Sequence, residues 1–144
     1  MPHFMIAAAL AALLPAVASA SPSSSSFKAY NSLDVVPLGN SAYEVIISRG
    51  EGARGVWCAA ADYAVQQLGA QGRIYILEGR APSRSAGGRQ SVIFTTDEGA
   101  LPVPPSRSVS LTTSQVGTGL PVNHAIQFCR GNNSEQSDRI IDRH

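Results

Sequence analysis

Two residue types in this chain could carry covalent chemistry, and they are sparse. Cys58 lies where a helix would begin, and a thiol at a helix N-terminus has its pKa lowered by free N–H groups and the helix dipole. His124 lies in a later apolar run and could serve such a thiol as general base. Cys58 with His124 is therefore the catalytic alternative, a cysteine-dependent hydrolase. Against it stands Cys129, the only other cysteine. An even cysteine count in an exported chain favours a disulfide. Closing the segment between Cys58 and Cys129 would contribute roughly 4 kcal/mol in the chain-entropy model. The expectation is a Cys58–Cys129 bridge, no catalytic residue, and a chain that is more consistent with a binding module than with an enzyme.

The second group of candidates is cationic. Arg80, Arg84 and Arg89 fall within Gly79 to Gln90, a stretch rich in Arg, Ser and Gly, and Arg54 precedes the expected helix. Guanidinium groups bind carboxylates and phosphates bidentately. This set is read as an anion- or partner-binding surface for an unknown protein or anionic ligand. Its spacing matches no phosphate-loop pattern. Cys58, His124, Cys129 and His144 lack zinc-ligand spacing, and Asp97-Glu98 are neighbours that point apart, unsuited to paired-carboxylate chemistry. No metal and no cofactor are expected. Asn132-Asn133-Ser134 formally matches a glycosylation acceptor.

Export is read from residues 1–20. An uncharged apolar core from Phe4 to Val17 is followed by Ala18-Ser19-Ala20, small residues of the kind signal peptidase accepts. Fourteen residues fall short of the roughly 20 that span a bilayer as a helix. The expectation is cleavage between Ala20 and Ser21, no membrane association afterwards, and a location in the periplasm or outside the cell. All 11 Lys and Arg and all 10 acidic residues lie beyond this segment, so the remainder carries a net charge of +1. Such a balance gives no electrostatic footprint for nucleic acid.

These candidates must be positioned by one small domain. Residues 21–32 are Ser-rich and read as a flexible leader, residues 33–130 as the domain, and residues 131–144 as a polar tail. Leu33 to Val36 and Tyr43 to Ser48 flank Gly39-Asn40-Ser41, a hairpin signal. Val56 to Leu68 has helical periodicity, with Trp57, Ala60 or Ala61, Ala64 and Leu68 on one stripe and Gly69 as cap. Further strands fit Arg73 to Glu78, Ser91 to Thr96, Ser108 to Thr113 and His124 to Arg130. On a strand over 124–130, Cys129 would face away from Ile126 and Phe128, which makes its bridge to Cys58 awkward. The pattern predicts an α+β fold with one main helix on a mostly antiparallel sheet of about five or six strands.

Overall fold

The computed structural model describes residues 25–48, 50–107 and 111–130. The expected signal segment with Ala18, Ala20 and Ser21, and the tail with Asn132, lie outside them.

Six strands form one sheet in the order β1-β2-β3-β5-β4-β6, and every pair is antiparallel. They are β1 (Phe27–Lys28), β2 (Asp34–Gly39), β3 (Ala42–Ile47), β4 (Arg73–Pro82), β5 (Gln90–Thr95) and β6 (Gly119–Pro121). The main helix α1 (Ala53–Leu68) lies between β3 and β4, and the short α2 (Val122–Ala125) follows β6. This is the α+β arrangement expected, with α2 as a second, minor helix.

The β2–β3 hairpin turns where the glycine and asparagine place it. Asn40 and Ser41 both adopt positive φ (51° and 64°), the geometry of the hairpin turn that matches strand twist. Alternation then sorts β3: Tyr43, Val45 and Ile47 join Val92, Phe94, Ile74 and Ile76 in the core beneath α1. From the helix, Val56, Trp57, Ala59, Ala60, Ala61 and Ala64 are buried against them. The alanines leave room for close approach, and the aromatic rings fill what remains. Trp57 meets Phe94 edge to face at 4.9 Å, and Tyr43 lies 4.5 Å from Tyr63. Two buried aromatic side chains find polar partners: the Tyr43 hydroxyl donates to the Ala60 carbonyl and the Trp57 indole N–H to that of Thr112. Burial pushes the Tyr43 hydroxyl far above its ordinary pKa, with Tyr63 adding to the effect.

Four expectations are corrected. Leu68 ends α1 on the solvent side, 40% exposed, because the helix overruns the core by a turn before Gly69 caps it. The leader reading runs too far: Phe27–Lys28 pairs with β2, and Ala29 is buried. Residues 111–113 form no strand, and 108–110 lie outside the described residues. Most consequentially, His124 to Arg130 is helical, with α2 followed by a further turn over 127–130. The short apolar run fits either period, and tertiary packing selects the helix. Helical spacing puts Val122, Ala125 and Cys129 on one buried face, so Cys129 reaches α1. Cys58 and Cys129 form the disulfide, with Cα atoms 5.0 Å apart.

Candidate functional site

Cys58 is fully buried and bonded to Cys129, so its sulfur carries no thiolate. His124 is exposed on α2, its ring edge-on to Phe128 at 5.5 Å. The two candidates for catalysis are each occupied structurally, and they make no thiol–imidazole pair. Among the described residues no group of three or more His, Cys, Asp or Glu could hold a metal ion.

The arginines separate. Arg54 stacks over the Phe128 ring, 5.2 Å from its centre, beside the disulfide. Arg84 is held by the carboxylate of Glu78 in an exposed ion pair. Arg80 and Arg89 come together instead, on a cleft of about 620 Å³ lined also by Ile47, Ser48, Glu51 and Gln90. Among the described residues neither Arg80 nor Arg89 has an acidic partner, since the ion pairs are Lys28–Asp34 and Glu78–Arg84.

Local structure explains why this pair converges. The polar stretch from Gly79 to Gln90 is strand at its ends: β4 continues to Pro82 and β5 begins at Gln90. Along β4, Glu78 pairs with Ile93 and Ala81 with Ser91, so Gly79 and Arg80 together oppose Val92. This is a β-bulge, the device by which a strand re-aims a side chain. The segment after residue 111 pins it, because the Arg80 N–H donates to the Thr113 carbonyl at 2.9 Å. A Cβ on Gly79 would collide with the Ser114 backbone, so glycine is required for that approach. Gln90 pairs with both Ile47 and Pro82, which draws three strands together under the cleft. Ile47 supplies its apolar floor.

Glu44 organises the other side of the hairpin tip, and sequence reasoning missed it. It stands on β3 opposite Ile93, facing away from α1, with no exposed surface. Its carboxylate accepts from the hydroxyls of Ser83 and Ser85 (2.5 and 2.6 Å) and from the Arg84 N–H at 3.1 Å. Burial alone would raise this carboxyl; the hydroxyls of Ser83, Ser85 and Ser91 and the Arg84 amide outweigh it and hold Glu44 below the ordinary carboxylate range. The Ser83 oxygen in turn accepts from the N–H groups of Ser85 and Ala86, closing a turn. The signal available in the sequence was a single Glu in an otherwise apolar strand, together with three downstream serines.

A second cavity of about 450 Å³ opens on that outer face, over Ile93, Leu77, Pro82, Pro102 and Val116. Its charged rim, Glu78 and Arg84, is already paired internally. Of these two cavities, only the first is lined by arginines that no ion pair takes. Comparison with known proteins finds no matching family model, no matching curated protein and no matching solved structure.

Proposed function

We propose that this protein is an exported, non-catalytic binding module that takes an anionic group, of a small ligand or of a partner, in the cleft between β3, the start of α1 and the β4–β5 hairpin. The observation that carries this reading is the pair Arg80 and Arg89, set on one cleft without an acidic partner among the described residues. The cleft volume falls within the roughly 300–1,000 Å³ of small-ligand sites. The backbone of Arg80 is held by the bulge and that of Arg89 by the hairpin turn, so both exposed side chains start from fixed points on the cleft. The buried Cys58–Cys129 bridge suits an oxidising compartment, and no helix of the described residues is long and apolar enough to cross a membrane. A hydrolase built on Cys58 and His124 would require the thiol that this bridge consumes.

The test is a titration of the isotope-labelled protein with acetate and with inorganic phosphate, followed by amide NMR. Shifts are expected at Gly88, Gln90 and Glu51. Arg80→Ala with Arg89→Ala should weaken the anion at least about tenfold, as expected for losing hydrogen bonds to a charged group. Arg84→Ala and Arg54→Ala should leave it within about twofold. Equal weakening by all four changes would mean diffuse surface charge and would overturn the assignment.

A further inference from the structure

Every donor that serves Glu44 is neutral, and all but one come from a single turn. The Ser83 and Ser85 hydroxyls and the Arg84 N–H belong to the tip of the β4–β5 hairpin, and Ser91 belongs to β5. The charged groups on the elements around it are paired with one another. Glu78 on β4 shares its row, both residues standing opposite Ile93, and holds the Arg84 guanidinium. Asp34 lies on the same face of β2 as Val36, the neighbour of Glu44, and holds Lys28 of β1. With no exposed surface and no cationic partner among the described residues, the ionised carboxylate depends on the tip staying folded against it. The tip leads in turn to the cleft. The Ser83 oxygen holds the N–H groups of Ser85 and Ala86, the Ala86 carbonyl accepts from the Arg89 N–H, and the Arg89 carbonyl accepts from the Ser83 N–H. A continuous chain of bonds thus joins Glu44, on the face of the sheet away from α1, to the backbone of Arg89.

We propose that Glu44 is a proton-operated latch: ionised, it clamps the hairpin tip and with it Arg89; protonated, it lets the tip open and the bound anion leave. The clamp stands on its own geometry, and its effect on the ligand rests on the anion-binding reading above. A neutral carboxyl accepts more weakly than a carboxylate, so the bonds from Ser83, Arg84 and Ser85 all lose strength on protonation. Those bonds also hold Glu44 below the ordinary carboxylate range, so release comes in acid. The sign follows from linkage. The closed tip favours ionised Glu44 and the anion favours the closed tip, so acid must weaken the anion. Other groups of the cleft act otherwise. Arg80 and Arg89 stay charged throughout, and Glu51, which also lines the cleft, would favour an anion on losing its charge. An affinity that falls in acid is therefore the mark of the latch.

The experiment uses sulfate, which remains a dianion across the range, titrated into the full chain from about pH 7 to about pH 3. Backbone NMR order parameters are measured on the ligand-free protein in parallel. Wild-type affinity should fall about tenfold in acid, the difference expected between bonds to a charged and to a neutral group. Glu44→Gln should show the weakened affinity already at pH 7 and no further fall. Ser85→Ala, which keeps the carboxylate and removes one donor, should move the fall to higher pH, and Glu78→Gln should leave it in place. Order parameters at Arg84, Ser85 and Ala86 should drop from about 0.85 toward 0.6 in acid and in Glu44→Gln, while those of α1 hold. Unchanged order parameters at the tip would overturn the latch. A loosened tip with unchanged sulfate affinity would also overturn it and leave the anion cleft standing. If wild-type protein binds no sulfate at pH 7, the anion reading and the coupling fall together, and the order parameters alone decide the clamp.

Discussion

At the scale of single residues, Glu44 shows how a buried charge can be made tolerable and useful. An unpartnered carboxylate in that position would cost several kcal/mol; three hydroxyls and one amide replace its hydration. The same bonds fix Ser83 to Ala86, and thereby the chain between Arg80 and Arg89. Glu44→Gln should destabilise the fold by about 1–3 kcal/mol at neutral pH, because an amide cannot accept at both positions. The pH dependence follows from the direction of the shift. A carboxyl whose folded pKa is lowered contributes fully above its unfolded value and loses that contribution as pH falls through the folded one. Urea unfolding at pH 7 and at pH 3 should therefore show the gap between wild type and variant shrinking in acid. A gap that stays constant would mean that ionisation of Glu44 plays no part in holding the tip.

At the scale of elements, the bulge in β4 and the β2–β3 turn each depend on one position. Gly79→Ala should cost about 1–3 kcal/mol, the usual penalty for forcing atoms into a packed site. It should also weaken anion binding, because the Ser114 backbone must retreat and carry Arg80's pinning bond with it. Thermal melts together with the acetate titration check both effects; a stability loss with unchanged binding would separate the bulge from the cleft. In the hairpin turn, Ser41 adopts φ 64°, where a side chain is disfavoured and glycine is not. Ser41→Gly should raise stability by roughly 0.5–1 kcal/mol, judging by what αL strain costs L-residues. A melting temperature unchanged or lowered would show that the Ser41 side chain has a stabilising role here.

At the scale of the whole molecule, the disulfide joins α1 to the helical segment that ends the described chain, 71 residues later. Both partners are buried, so the bridge ties the segment after β6 against α1 inside the packed interior. Replacing both cysteines with alanine should cost about 2–5 kcal/mol. Denaturant melts of oxidised, reduced and double-variant protein check this, with the reduced and variant forms expected to coincide. Export itself is tested by the intact mass of natively produced protein, which should correspond to a chain starting at Ser21. A full-length cytosolic species would sink that expectation.

Local signals were enough to specify most of the scaffold. Alternation in β3, the apolar run of β5, the helical stripe with Trp57 and Ala64, the turn at Asn40-Ser41 and the capping Gly69 all follow from period and backbone freedom, which are properties of neighbours in the chain. The cysteine count indicated the bridge for the same reason of economy: two thiols in a chain expected to be exported have one partner each. What tertiary structure decided was everything that depends on contacts distant in sequence. The run after Val122 takes the helical period because α1 offers a groove for Val122, Ala125 and Cys129, a condition invisible to local propensity. Glu44 acquires its partners from residues some forty positions away, which no window around β3 contains. The four arginines looked equivalent as a composition, yet an ion pair takes Arg84, an aromatic ring takes Arg54, and a bulge pinned by Thr113 leaves Arg80 beside Arg89. Charge type is written in the sequence; which charges remain unmet is fixed only when the chain has folded and each has found, or failed to find, its partner.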